Sequence, residues 1–148
     1  MSSPEQANTK KLNVGLIGVG LMGHGIATNI VKHGHALSVL EHAGNQPLDA
    51  LRAAGVRTFG RPGELAAQVD VLLLCVTGSP QVEAVLLDEK DGALLGMKPG
   101  TIVIDLSTAI PASTERLASR VAQAGGRFLD SAMTRTPKEA AEGRLNLL

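Results

Sequence analysis

The feature that most restricts the fold is the run Gly18-Val19-Gly20-Leu21-Met22-Gly23, together with its place in the chain. A short apolar run, Leu12 to Ile17, leads into it, and Leu21 to Lys32 follows with helical spacing of apolar residues that stops at Gly34. Strand, tight turn and helix in that order give three glycines at this spacing their meaning. The first permits the turn, the second lets backbone approach a pyrophosphate, and the third lets helix and strand pack closely. Free amides and the positive end of the helix then hold the phosphates. An ordinary glycine-rich turn is the plain alternative, and the flanking strand and helix weigh against it.

The rest of the chain continues the alternation. Ala36 to Leu40 reads as a strand, Leu48 to Ala54 as a short helix behind Pro47, and Val56 to Phe59 as a third strand. After Pro62-Gly63, a helical stretch Glu64 to Gln68 precedes Val69 to Val76, whose continuous apolar character suits the centre of a sheet. Pro80 opens a helix to Leu87, Asp91-Gly92 and Lys98-Pro99-Gly100 turn the chain, and Thr101 to Leu106 is the next strand. Pro111 opens a helix to Ala124, and Gly125-Gly126 separates it from a strand at Arg127 to Leu129. The predicted class is α/β, a doubly wound, mostly parallel sheet of the Rossmann type. Arg144 to Leu148 reads as a strand just beginning with no stop signal behind it, so the sequence is expected to be cut in mid-element.

Composition narrows the functions. A chain of 148 residues suits one domain, here 12–148 behind a disordered tail at 1–11. Its 14 basic and 14 acidic residues produce no global field, so nucleic acid is not an expected partner and any anion needs a local site. The longest apolar runs fall short of a membrane span and the first residues lack a signal-peptide core, which predicts a soluble cytoplasmic protein with no membrane partner. The lone Cys75 sits in an apolar run and has no disulfide partner within the chain. Phe59 and Phe128 are the only aromatics, too few for stacking platforms.

Glu41 closes the second strand about twenty residues past the fingerprint, where an acid hydrogen-bonds the adenosine ribose and repels the extra phosphate of NADP. NAD is therefore the expected cofactor. His42 beside it would attract that phosphate when protonated, so NADP stays open, and a surface glutamate at a strand end is the plain alternative for Glu41.

With these residues in place, the chain resembles the β-hydroxyacid dehydrogenase family, which includes 3-hydroxyisobutyrate dehydrogenase and 3-sulfolactaldehyde reductase and shares its NAD-binding domain with 6-phosphogluconate dehydrogenase. The resemblance rests on Val14-Gly15-Leu16-Ile17-Gly18-Val19-Gly20-Leu21-Met22-Gly23, on Asn29 and Gly34-His35, and on Ile104-Asp105-Leu106-Ser107-Thr108. It implies cofactor contacts at Gly18, Gly20, Leu21, Met22 and Gly23, at Val76 and Thr77, and at Thr108 near the nicotinamide. Thr77 stands where the family commonly has proline. The family's substrate segment aligns with Asp130 to Gly143, where Thr134-Arg135-Thr136 replaces the usual Ser-Gly-Gly and is similar to the Gly-Arg-Thr of sulfolactaldehyde reductases. Thr134, Arg135 and Thr136 are thus implied substrate contacts. A guanidinium at 135 suits a carboxylate or sulfonate, which predicts a small anionic hydroxyacid, hydroxysulfonate or semialdehyde as substrate.

The resemblance also implies an acid/base lysine on a long helix beyond Leu148, within a helical catalytic and dimerisation domain absent from this chain. No catalytic residue is assigned here: Lys90, Lys98 and Lys138 lie in stretches read as polar turns or loops, and Ser107 lacks signs of a hydrolase arrangement. The four histidines have no metal-ligand spacing, so no metal is expected, and His24 reads as helix surface. By this reading the full-length protein is an NAD(P)-dependent oxidoreductase and a homo-oligomer, while the chain alone is inactive. The alternatives are a stand-alone NAD-binding module without turnover and an imine reductase-like enzyme.

Overall fold

A computed structural model describes residues 11–134 and 136–148. Six strands form one parallel sheet: β1 (Asn13–Ile17), β2 (Ala36–Leu40), β3 (Arg57–Phe59), β4 (Val71–Leu74), β5 (Ile102–Asp105) and β6 (Arg127–Asp130). Their order across the sheet is β3-β2-β1-β4-β5-β6, every pair parallel, with β1 and β4 in the middle. The helices are α1 (Leu21–Lys32), α2 (Asp49–Ala53), α3 (Pro62–Ala66), α4 (Ser79–Leu87), α5 (Ala93–Gly96), α6 (Pro111–Gln123) and α7 (Pro137–Ala141). A two-stranded antiparallel ribbon, β7 (Met133–Thr134) with β8 (Asn146–Leu147), completes the described elements.

Because strand side chains alternate between faces, the sheet has two separate cores. Val14, Leu16, Leu37 and Val39 pack with Ala27 of α1 and Leu51 of α2 on one face. Leu72, Leu74 and Val103 pack with Leu65 of α3, Val82 and Leu86 of α4, and Leu117 and Val121 of α6 on the other. The chain leaves β1 toward the first face and β4 toward the second. That divergence opens a crevice outside the carboxyl ends of the two central strands, where ligands of open α/β sheets bind.

The predicted alternation and the central place of the strand around residue 72 are observed, with four local differences. The central strand is shorter than Val69 to Val76, since Val69 is still in the turn from α3 and β4 ends at Leu74, with the Cys75 amide making a last bond to the Ile17 carbonyl of β1. The turn at Asp91-Gly92 leads into an unpredicted short helix, α5. Lys138 stands in helix α7 rather than in a loop, because Thr136 and Glu139 form a capping box in which each side chain satisfies a backbone amide of the other. Lys11, read as part of the tail, donates from Nζ to the His33 carbonyl at 3.2 Å.

Candidate functional site: the crevice between the central strands

The floor of the crevice is built by backbone contact that excludes side chains. Gly18 has φ of +103°, and a β-carbon there would overlap the Cys75 carbonyl at the end of β4. A β-carbon at Gly23 would in turn overlap the Gly18 carbonyl, so the first turn of α1 lies directly on the β1 turn. Gly20 is the opposite case, since a β-carbon there meets nothing within 4 Å. Two glycines close the turn and the third leaves open space in front of the helix. Gly20 caps α1 with no side chain bonded to it, so the first amides of the helix face that space. Leu21 is exposed and Met22 half-buried beside it. Open space, free amides and the helix dipole together fit a dinucleotide pyrophosphate.

At the β2 end, Glu41, His42, Asn45, Gln46 and Arg52 line an open hollow of about 440 Å³. The Arg52 guanidinium donates to Glu41 Oε1 at 2.8 Å. Hydrogen bonding from Thr58, and then from Arg52, holds the Glu41 carboxyl below its ordinary value, so it is ionised and an acceptor at neutral pH. Arg52 was not foreseen, since it lies eleven residues from Glu41 and meets it only through the packing of α2. His42 accepts the Gly44 amide on Nδ1 at 3.0 Å, so its ring serves the local turn.

The opposite lip joins the loops after β4 and β5. Ser107 Oγ accepts the Val76 amide at 3.0 Å, and Ser79 Oγ accepts the Ile110 amide at 2.8 Å. Two serines thus strap one loop to the other and bring Val76, Thr77 and Thr108 to the same rim. Thr77 and Thr108 are exposed there, available to a ligand. Beneath them, Asp105 is fully buried, with Oδ1 accepting the Ser107 amide at 2.9 Å and Oδ2 without a partner. Burial raises its carboxyl above the ordinary value, against the Ser107 hydrogen bonds, and nearby Asp130 adds to the rise. Burial, and then the charge of Asp105, pushes the Cys75 thiol up to about 11, which leaves it protonated and unreactive at neutral pH.

The segment after β6 runs past this rim. Ser131 donates its amide to the Asp105 carbonyl and Met133 to that of Leu106, which sets Thr134 beside the loop that carries Thr108. Thr136 is the N-cap of α7, and its side chain is engaged in the capping box. Arg135 lies outside the described residues. The described lysines stand elsewhere: Lys11, Lys32 and Lys98 are at the amino end of the sheet, where Lys98 pairs with Asp70, while Lys90 and Lys138 are exposed. His24 is half-buried in the second turn of α1. Among the described residues, no three His, Cys, Asp or Glu gather as metal ligands and no helix is long and apolar enough to cross a membrane.

This strand order, turn and rim define a dinucleotide-binding domain. The chain belongs to the family of the NAD binding domain of 6-phosphogluconate dehydrogenase, which it matches over residues 13–148. It is 33% identical over 139 residues to L-threonate dehydrogenase from Cupriavidus necator, covering 92% of this chain and 45% of the relative. It is 30% identical over 135 residues to the cytokine-like nuclear factor N-PAC of Xenopus tropicalis, covering 91% of this chain and 25% of the relative. The solved 3-hydroxyisobutyrate dehydrogenase of Mycobacterium tuberculosis, studied with L-serine, superposes with a TM-score of 0.82 at 25% identity, over 93% of this chain and 46% of that one. The chain therefore spans less than half the length of these relatives.

Proposed function

We propose that the whole protein interconverts a small β-hydroxyacid, or a hydroxysulfonate, with its aldehyde or ketone, and that this chain supplies the cofactor half of the site. A bound nicotinamide cofactor would supply the hydride acceptor or donor for that reaction. The observation that carries the reading is the single rim formed by Thr77, Thr108 and Thr134 at the open end of the glycine crevice. Gly18, Gly20 and Gly23 receive the pyrophosphate and Glu41 receives the adenosine ribose, which favours NAD over NADP. Thr108 stands at the nicotinamide end, and Thr134 begins the segment that meets the substrate. Arg135, by its residue type, pairs with the substrate's anionic group. The identity to L-threonate dehydrogenase supports a hydroxyacid substrate.

No described lysine is joined to the rim by a hydrogen bond or ion pair, so we assign proton transfer to residues outside this set, and the chain alone binds NAD without turnover. Calorimetry with NAD and an NADH absorbance assay over small hydroxyacids and hydroxysulfonates test both halves. Binding with background-level turnover is the expected result, since a positioned proton donor contributes about 10² to 10⁴ in rate. Steady turnover by the purified chain contradicts this assignment. The identity to a protein named as a nuclear factor supports a second reading, a cofactor-binding module without catalysis. The same panel applied to the full-length gene product separates the two.

A further inference from the structure

Helices α1 and α7 are joined more intimately than packing alone requires. Asn29, on the buried side of α1, directs its Nδ2 at three carbonyls: Gly25 at 2.9 Å in its own helix, and Ala140 at 2.9 Å and Ala141 at 3.1 Å at the end of α7. The last carbonyls of a helix have no partner within it, so Asn29 closes α7 from outside. The backbones touch at the same place. A β-carbon at Gly25 would lie 2.7 Å from the Ala141 nitrogen, and one at Gly143 would lie 2.9 Å from Asn29 Oδ1.

Both ends of this junction lead to the crevice. The amino end of α1 is the pyrophosphate platform at Gly20, and α7 begins at Thr136, immediately past the segment that lines the rim. We infer that Asn29 is a positioning residue: it couples the cofactor helix to α7, so that a cofactor docked on α1 fixes the position of Met133–Thr134 and α7 beside the nicotinamide end. The inference rests on the cofactor reading above and needs no substrate for its test.

Hydrogen exchange of the 148-residue chain, with and without saturating NAD, tests it. In the native sequence NAD should slow exchange of the α7 amides by about five- to tenfold, the lower part of the range for coupled sites. In Asn29→Ala that NAD-dependent difference should vanish, and the NAD affinity measured by calorimetry should fall by no more than the same factor of about five to ten, because coupling is reciprocal. A merely structural asparagine would change α7 exchange equally with and without NAD and leave the difference intact. Should Asn29→Ala fail to fold, Gly143→Ala attacks the same junction from the exposed end of α7 and should erase the same difference. Saturation by NAD with no response in α7 overturns the coupling alone. Absence of NAD binding overturns the coupling and the cofactor reading together.

Discussion

The two halves of the sheet are finished differently. On the α1 face, the cross-strand row Leu73-Ile104-Leu129 goes from half-buried at the first two positions to 52% exposed at Leu129. On the opposite face, Leu72 and Val103 in the row Leu72-Val103-Phe128 are fully buried and Phe128 is half-buried beneath α6. Around β1 and β4 the backbone is packed so closely that glycine is required, whereas β6 presents side chains to solvent on one side. Binding chemistry gathers at the tight half because only there do strand ends, a helix start and free amides converge. The outer half sets the rim, and on its α1 face it has little packing to lose.

That contrast predicts a graded response to substitution. Gly18→Ala should have the largest effect, since it combines a left-handed backbone with overlap on the Cys75 carbonyl. A loss of about 3 kcal/mol or more in urea unfolding is expected. A loss below about 1 kcal/mol would mean that the turn relaxes and that the tight half is not tight.

Cys75 offers a pH test of the same half. Burial holds the proton on its native thiol up to about 11, above the ordinary thiol value of 9.0. Between those values the unfolded chain binds fewer protons than the folded one, so stability is complete below about pH 9 and falls as pH rises toward 11. A decline of about 2 kcal/mol over that interval is expected in the native chain, and Cys75→Ala should flatten the part of the slope that the thiol causes.

Glu41 probes function rather than packing. Glu41→Ala should weaken NAD by about 1 to 2 kcal/mol through the lost charged hydrogen bond. Titration with equal affinity in both proteins would remove Glu41 from the site. The smallest effect belongs to the outer half: Leu129→Ser should shift unfolding free energy by no more than about 0.5 kcal/mol, as exposed positions do. A loss comparable to that at Gly18 would break the contrast between the halves.

What was legible in the sequence follows the same division. Gly18, Gly20 and Gly23 announce their turn through spacing between a strand and a helix, and Glu41 its place at the end of β2 through its offset, because these positions are fixed by local backbone geometry. Arg52, Ser79, Ser107 and Asn29 could not be placed in this way. Ser107 meets Val76 across 31 residues and Asn29 meets Ala140 across 111, so their partners exist only once the sheet has formed. Helix α7 did carry a signal: Thr136 followed three residues later by Glu139, with proline between them, is a capping-box pattern. Reading that stretch as a loop by alignment concealed it. The antiparallel ribbon of β7 and β8 has two residues in each strand, too few to show a period.

The central claim, that the space before α1 receives the cofactor pyrophosphate, is tested most directly at Gly20. Its φ of −80° is open to any residue, and an added β-carbon touches no protein atom. Calorimetric titration of Gly20→Ala with NAD, beside a thermal melt of the same protein, separates binding from folding. The account predicts an unchanged melt and an affinity lower by about tenfold or more, since a methyl group would stand where the pyrophosphate must approach. An unchanged melt with unchanged affinity would contradict it.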